Sequence, residues 1–229
     1  MVNFGEAIKR PFQDFKKLGI GALMYMVPWV SIITMFFASG YGLECAKTAT
    51  KKKPKLPEWS DWGNLWTRGF LSFLISVIYF LPLALLSVLF VGPLILKMMG
   101  GILSSNPETF IEDLGLTGSA NYQLFAFLGL FAVLIAYILP MALMFFVEKW
   151  NFSDAFKIGD IFKKAFTSKY FVAWIILIVY AMVIGFIVTL LTAATTVTVI
   201  IPLILMGFWN MALTITSMTV FGEVYSEIK

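Results

Sequence analysis

Residues Gly40 to Phe70 read GYGLECAKTATKKKPKLPEWSDWGNLWTRGF and separate two apolar runs. The stretch carries six Lys or Arg residues, three acids and three of the seven tryptophans. Lysines attract anionic lipid head groups, and indole rings place an apolar body and one N–H donor at head-group depth. The stretch therefore predicts a segment at a membrane–water interface, and the apolar runs beside it predict segments within the membrane.

The composition of the whole chain supports a membrane protein. Of its 229 residues, 60% are hydrophobic and only 13% are charged, far from the averages of soluble domains. The expected fold is an all-α polytopic membrane helix bundle that forms one domain over residues 1–229. Four full transmembrane helices and an N-terminal apolar segment interrupted by proline account for its apolar runs.

The order of polar and apolar segments gives the expected boundaries. We predict that helices cross the membrane and that amphipathic stretches lie at its surface. The segments are 1–17 (amphipathic), 18–43 (apolar segment), 44–68 (basic, aromatic cytoplasmic loop), 69–96 (transmembrane), 97–121 (external loop), 122–147 (transmembrane), 148–169 (amphipathic, cytoplasmic), 170–191 and 199–221 (transmembrane), and a short polar tail.

Every charged residue lies outside the apolar runs. Ionisable groups inside membrane spans are costly and usually mark ion paths or proton relays, so their absence argues against ion-coupled transport. Loops rich in Lys and Arg stay cytoplasmic. This bias predicts a multi-pass protein of the cell membrane with segments 44–68 and 148–169 and the C-terminus inside.

The segment 18–43 is open to two interpretations. Pro28 lies within it and would kink or break a helix. A re-entrant hairpin would keep the basic N-terminus inside, whereas a single tilted span would place it outside. Both alternatives fit the length of the segment.

Two sets of residues are candidates for sites. The first is expected to contact lipid at the interface and consists of Lys51, Lys52, Lys53, Trp59, Trp62, Trp66, Phe152, Phe156, Lys163 and Lys164. The second is expected to pack helices or contact a ligand and consists of Ala38, Gly42, Glu44 and Asn210. Asn210 lies near the middle of the last apolar run and is expected to be a buried interhelical hydrogen-bonding group.

Other polar residues have simpler expected roles. Ser60 and Ser153 are predicted helix N-caps, and Glu58 and Asp61 are predicted to support a helix start. Glu44 and Glu148 are expected to pair with nearby lysines. Cys45 is expected to be a small packing residue, because a lone cysteine forms no internal disulfide.

No catalytic, cofactor or metal site is expected. The chain contains no histidine, which is the commonest general base and metal ligand. The motifs Gly-x-Ser-x-Gly and His-Glu-x-x-His and the phosphate-binding Walker loop are also absent from the sequence. Nucleic acid is not an expected partner, since interfacial lysines explain the net charge of +4.

One arrangement resembles a known family. Gly40 and Tyr41, then a basic spacer, then Leu56, Pro57, Glu58, Trp59, Asp61, Trp62, Gly63 and Gly69 are similar to the signature of the uncharacterised integral membrane family called domain of unknown function 4013. The resemblance covers nearly the whole chain and implies a prokaryotic, archaeal membrane protein. It implies no chemistry.

Two classes of function remain. The first is a non-enzymatic accessory subunit of a membrane complex, or a lipid-organising protein that shapes the bilayer with amphipathic segments. The second is a permease or translocator of a lipid or an uncharged small molecule that uses proline-broken helices. Expected partners are anionic lipid head groups, and another membrane protein or a second copy of the chain.

Overall fold

The structure is a computed structural model that describes residues 2–26, 30–52, 55–103, 119–194 and 200–228. Within these ranges the chain forms eight α-helices, two 3-10 helices and no strand, which confirms the all-α expectation. The helices are α1 (Phe4–Lys9), α2 (Phe15–Met26), α3 (Ser31–Thr50), α4 (Trp62–Leu103), α5 (Ser119–Lys149), α6 (Ile158–Ala165), α7 (Ser168–Ala193) and α8 (Ile200–Glu227). The 3-10 helices are Arg10–Gln13 and Phe152–Phe156.

Four of these helices are long and apolar enough to cross a membrane. The apolar stretches are Trp62–Pro93, Tyr122–Lys149, Ser168–Ala193 and Ile200–Glu227. A helix of about 20 apolar residues spans the hydrocarbon core of a bilayer. The protein is therefore a multi-pass membrane protein, as its composition predicts.

Several helices extend beyond the boundaries expected from the sequence. Most of the expected loop 44–68 is helical, because Cys45, Ala46 and Ala49 are buried and keep α3 packed to Thr50. The expected polar tail is the end of α8, in which Val224 and Tyr225 are buried. Burial of small and aromatic side chains thus continues into sequence that looks polar.

The two ends of the expected external loop and the N-terminal segment also differ from expectation. Helix α4 continues to Leu103 and α5 begins at Ser119, while residues 104–118 lie outside the described residues. The expected amphipathic helix over 1–17 is interrupted after Lys9, where Pro11 lies in the 3-10 helix Arg10–Gln13. Proline lacks the N–H that an α-helix interior needs, so the α-helix ends before it.

The prolines of the long apolar runs do not break their helices. Pro82 and Pro93 lie inside α4, and Pro140 lies inside α5. Helices in membranes tolerate proline when neighbouring groups satisfy the freed carbonyl groups. The expectation of proline-broken transmembrane helices was wrong for these three positions.

The chain forms two units. The first contains residues 1–75 and 140–229, and the second contains residues 76–139. The core of the first unit lies where α2 and α3 pack on α8, with Leu18, Tyr41 and Met211 fully buried. The second unit consists of the later part of α4 and the first part of α5, and carries exposed apolar side chains typical of helices that face lipid.

Helices α2 and α3 form an antiparallel hairpin within the first unit. Near the tip, the hydroxyl of Thr34 donates to the carbonyl of Met24 at 2.7 Å. At the open end, the guanidinium of Arg10 donates to the carbonyl of Cys45 at 3.1 Å. A single helix over 18–43 is therefore not formed. Residues 27–29, including Pro28, lie outside the described residues.

Glycines allow α3 and α4 to cross in backbone contact. A Cβ atom on Gly40 would lie 1.9 Å from the carbonyl oxygen of Leu65. Reciprocally, a Cβ atom on Gly69 would lie 1.8 Å from the carbonyl oxygen of Phe36. The two pairs are spaced by four residues on each helix, so one face of α3 meets one face of α4 without side chains between them.

Candidate functional site

The charged segments of the first unit meet at one end, which we call the charged end. The backbone N–H of Asn3 donates to Glu223 at 3.2 Å, and Lys169 pairs with Glu227 at 3.0 Å. The ammonium of Lys47 donates to the carbonyl of Val147 at 2.9 Å. The N-terminal segment, the 44–61 segment, the 148–169 segment and the end of α8 therefore lie together.

Arg10 is buried at the charged end and joins four segments. Its side chain is 4% exposed. The guanidinium donates to the hydroxyls of Thr219 at 2.9 Å and Thr48 at 2.6 Å, and to the carbonyls of Cys45 and Lys55, each at 3.1 Å. Arginine stays protonated in proteins, so these oxygen atoms surround a buried positive charge. Arg10 thereby fixes the N-terminal segment to α3, α8 and the loop before α4.

The loop of residues 55–61, which we call the signature loop, closes the open end of the hairpin. The Tyr41 hydroxyl donates to the carbonyl of Pro57 at 2.9 Å, and the Tyr41 ring stacks on Trp59 with centroids 4.1 Å apart. The indole N–H of Trp59 donates to the carbonyl of Lys17 at 2.9 Å, and the Lys17 ammonium contacts Glu58 at 2.6 Å. The loop is thus bonded to both α2 and α3.

A second set of contacts involves cations and aromatic rings. Glu44 pairs with Arg68, whose guanidinium lies 4.0 Å from the centroid of the Trp150 ring. Glu148 accepts a hydrogen bond from the Tyr225 hydroxyl. Glu44 thus pairs with an arginine instead of a lysine, while the Lys47 ammonium donates to the backbone carbonyl of Glu148. A stacked cation of this kind contributes about 0.5–1 kcal/mol when exposed.

A cavity of about 280 Å³ opens at the charged end. It lies between α1, the end of α3 and the end of α8. Three carboxylates and two cations line it, together with neutral hydrogen-bonding groups. The lining residues are Asn3, Glu6, Ala7, Arg10, Gln13, Ala49, Lys52, Thr219, Glu223, Ser226 and Glu227.

The family model described as Protein of unknown function (DUF4013) matches residues 23–193 of the chain. This region is about three quarters of the sequence and includes the Gly40–Leu65 contact and the signature loop. The chain belongs to this family. Comparisons with curated proteins and with solved structures gave no match. Arg10, Lys17 and all of α8 lie outside the part that matches DUF4013.

The helix starts of the DUF4013 region agree with the prediction at Asp61 and differ from it at the two serines and at Glu58. Helix α4 follows Asp61, whose carbonyl accepts from the N–H of Leu65 at 3.0 Å and whose carboxylate accepts from Asn64. Ser60 therefore lies one residue before the cap position, and the prediction for Ser60 was wrong. Glu58 pairs with Lys17 instead of supporting the helix start.

The predicted cap at Ser153 was also wrong. Asn151 occupies the cap position of the 3-10 helix Phe152–Phe156, and its side chain accepts from the N–H of Ser153 at 3.3 Å. At the other end, the ammonium of Lys157 lies 2.7 Å from Asp154. This hydrogen bond raises the pKa of Lys157. The turn is therefore closed by a local ion pair before α6 begins.

The predicted lipid-contacting residues differ in exposure. Lys51, Lys52, Trp62 and Lys163 are exposed, and Trp59, Trp66, Phe152, Phe156 and Lys164 are partly buried. Lys53 lies outside the described residues. The partly buried rings pack on other rings: Trp66 stacks on Phe70 at 5.1 Å, and Phe152 lies 5.2 Å from Phe156. Their contact with lipid stays a prediction.

The predicted lipid-contact set includes Trp62 but leaves out other exposed apolar residues of segments 1–17 and 148–169, which the sequence indicated only as amphipathic. Ile161 and Ala165 are the buried residues of α6, while Phe162 is exposed. We call the exposed set at the charged end the apolar rim. It consists of Phe12, Phe15, Trp62, Ile158, Phe162 and Phe166. Ile158, Phe162 and Phe166 are spaced by four residues, which places their side chains on one face of a helix. This spacing could have indicated from the sequence that the three side chains share one exposed surface.

The residues expected to pack helices or contact a ligand do not form one site. Ala38 is fully buried in the core, and a Cβ atom on Gly42 would lie 2.6 Å from the Thr214 methyl group. Asn210 is exposed, and its amide donates to the Met206 carbonyl of its own helix at 2.8 Å. The expected interhelical bond of Asn210 was wrong, because the buried face of α8 passes through Met211 instead.

Cys45 is fully buried beside Arg10 at the end of the apolar part of α3. Its carbonyl accepts from Arg10, and its thiol packs in the core. Burial raises the pKa of the thiol to about 12. Because the thiolate is the reactive form, Cys45 is expected to be inert in the folded protein.

Proposed function

We propose that this protein is a non-enzymatic, lipid-organising membrane protein. In this proposal the charged end lies among the head groups of the cytoplasmic leaflet, and the α2–α3 hairpin enters that leaflet without crossing the bilayer. The observation that carries the proposal is the anchoring of both hairpin ends at the charged end, by Arg10 and by the signature loop.

The length of the hairpin supports partial insertion. Helix α2 has 12 residues and is about 18 Å long at about 1.5 Å per residue, and the part of α3 from Ser31 to Glu44, before Cys45 meets Arg10, is about 21 Å long. The hydrocarbon core of a bilayer is about 30 Å thick. The tip is apolar and exposed, with Leu23, Val30, Ile32 and Ile33 on its surface. A short hairpin with such a tip is stable in hydrocarbon and adds volume to one leaflet only.

The apolar rim supports insertion at the same surface. Phe162 and Phe166 are exposed beside Lys163, which is itself exposed. Amphipathic segments of this kind lie in the membrane plane with the apolar face about 5–10 Å below the head groups. Lysines on the same surface favour anionic lipids by about 1 kcal/mol each. Hairpin and rim together would expand the cytoplasmic leaflet.

The permease alternative receives less support than the sequence suggested. It depended on helices broken by proline, and Pro82, Pro93 and Pro140 lie within uninterrupted helices. The described cavity at the charged end is not lined by Asn210, the candidate ligand contact in the middle of an apolar run.

Reconstitution into vesicles tests the proposal. Purified protein at increasing ratios to lipid should reduce vesicle diameter or form tubules, as seen by electron cryomicroscopy. Phe166→Ala should weaken this effect, because it removes an exposed ring of the rim. Phe186→Ala on α7 is the matched control, since Phe166 and Phe186 are 62% and 64% exposed. Unchanged vesicles with the wild-type protein, or equal effects of the two variants, would refute the proposal.

Native mass spectrometry separates this proposal from the accessory-subunit alternative. The protein would be extracted gently from its own membrane. Lipid-bound protein without other chains is the result expected of a lipid-organising protein. A second protein at fixed stoichiometry would assign the protein to a complex instead.

A further inference from the structure

We propose that the cavity at the charged end binds a primary ammonium group linked to a phosphate, the chemistry of an ethanolamine phosphate head group. The cavity has about 280 Å³ of space, below the range of about 300–1,000 Å³ that is usual for drug-sized ligands. The charged side chains in its lining favour a small, charged molecule or the head group of a lipid.

The charges around the cavity suit a ligand that carries both signs. Glu6, Glu223 and Glu227 line it together with Arg10 and Lys52, and because Glu227 is already paired with Lys169, the carboxylates are not in excess over the cations. Two of the carboxylates have fixed positions, since Glu223 accepts from Asn3 at 3.2 Å and Glu227 pairs with Lys169 at 3.0 Å. A carboxylate has about four lone-pair sites, so each can also accept from an ammonium group.

An organic ammonium fits these acids better than a metal ion does. Among the described residues, no three acidic, cysteine or histidine side chains lie close enough together to hold one metal ion. Hard cations such as Ca²⁺ need six to eight oxygen ligands in one shell. An ammonium needs only three acceptors, and Glu6, Glu223 and the Ser226 hydroxyl are all in the lining of the cavity.

The cations of the cavity suit the phosphate. Lys52 is exposed at the end of α3 and is a flexible donor, and Arg10 adds a buried positive charge at the wall. Four hydrogen bonds of Arg10 go to carbonyl and hydroxyl oxygens. A phosphate near Lys52 and Arg10 would meet two positive charges.

The ligand has two possible sources with the same chemistry. A lipid with an ethanolamine head group reaches the cavity if the charged end lies at head-group depth, so this source rests on the proposed function. Soluble phosphoethanolamine reaches the cavity whether or not the protein shapes membranes. The binding experiment therefore fails or succeeds independently of the vesicle-shape experiment.

Calorimetric titration of the detergent-solubilised full chain with phosphoethanolamine tests the site directly. Glu223→Gln should weaken binding of phosphoethanolamine at least tenfold, because glutamine keeps an oxygen that accepts from the Asn3 N–H but removes the negative charge. Asp160→Asn removes one exposed acid from α6, outside the cavity, and should leave the affinity unchanged. Inorganic phosphate should bind at least tenfold more weakly than phosphoethanolamine.

A second variant keeps the proposal testable if Glu223→Gln fails to fold. Lys52→Gln should lower the affinity for phosphoethanolamine at least fivefold and leave the affinity for ethanolamine unchanged. Native mass spectrometry in nanodiscs then identifies the lipid source, because retained ethanolamine lipid should fall in both variants. Absence of binding by both the soluble probe and the lipid, or equal binding by Glu223→Gln and Asp160→Asn, would overturn the proposal.

Discussion

Replacing Gly40 with alanine tests the backbone contact that joins the hairpin to α4. The added Cβ atom would lie 1.9 Å from the Leu65 carbonyl oxygen, and ordinary contacts begin at 3.4 Å, so the helices must separate by about 1.5 Å. Neither side of the contact is a flexible side chain. The separation would also disturb Phe36, whose ring meets Trp66 edge to face at 5.8 Å.

The magnitude follows from two opposing terms. Overpacking usually costs about 1–3 kcal/mol, and a clash with backbone belongs at the upper end. Alanine recovers about 1 kcal/mol of helix propensity over glycine. We expect Gly40→Ala to lower the free energy of unfolding by about 2 kcal/mol. For a chain of this length this lowers the melting temperature by about 4–8 °C.

Thermal unfolding in detergent, followed by tryptophan fluorescence, measures the effect. Gly63→Ala is the matched control, because a Cβ atom on Gly63 would meet nothing within 4 Å. Gly63 belongs to the same helix, α4, and to the same DUF4013 signature. We expect Gly63→Ala to raise the melting temperature slightly. A melting temperature of Gly40→Ala equal to or above that of Gly63→Ala would refute the backbone contact.

Three further substitutions or reactions have defined outcomes. Tyr41→Phe removes the 2.9 Å hydrogen bond to the Pro57 carbonyl but keeps the ring stacking, so it should cost about 1 kcal/mol in the same unfolding assay; no loss would contradict the bond. Cys45 should resist modification by maleimide at pH 8 until the protein unfolds, because burial raises the pKa of its thiol to about 12. Mass spectrometry measures the modification, and rapid reaction of the folded protein would contradict the burial of Cys45. Asn210→Leu should leave the melting temperature unchanged, since within the described part of the chain the Asn210 side chain bonds to its own helix. An interhelical bond would instead cost about 0.6 kcal/mol on removal.

The long apolar helices could be predicted because their signal is local. A run of about 20 apolar residues needs a helix in a membrane, whatever its neighbours are. The ends of those helices could not be predicted in the same way. Helix α8 continues to Glu227 because Val224 and Tyr225 are buried against other segments, and that burial depends on contacts across the chain.

The arrangement of segment 18–43 was open for a related reason. Pro28 and the basic N-terminus are compatible with a hairpin and with a single span. The contact of Thr34 with the Met24 carbonyl decides between them, and such a contact is not visible in the spacing of residues. Sequence reasoning therefore reached the two alternatives but not the choice.

The candidate site could likewise be predicted only in part, where its residues belong to a local sequence signal. Tyr41 and Trp59 stand out in the sequence as part of a signature, and both are central to the signature loop. Arg10 looks like one of several exposed basic residues, yet it is buried against Thr219, which is 209 positions away. The burial of Asn210 was predicted wrongly, because the position of a residue along α8 indicates its depth in the membrane but not which face of the helix it occupies. Which face is buried depends on where α2 and α3 pack.

The central claim is that both ends of the α2–α3 hairpin lie on the side of the membrane that holds the C-terminus. Labelling of single introduced cysteines with a membrane-impermeant maleimide tests it most directly, and the buried Cys45 adds little background. Lys9→Cys and Lys51→Cys report on the two hairpin ends, and both positions are exposed. Ser226→Cys reports on the C-terminal end of α8. We predict that all three label only after the cells are permeabilised. Labelling of Lys9→Cys in intact cells, with Lys51→Cys protected, would show a crossing between them and would contradict the account.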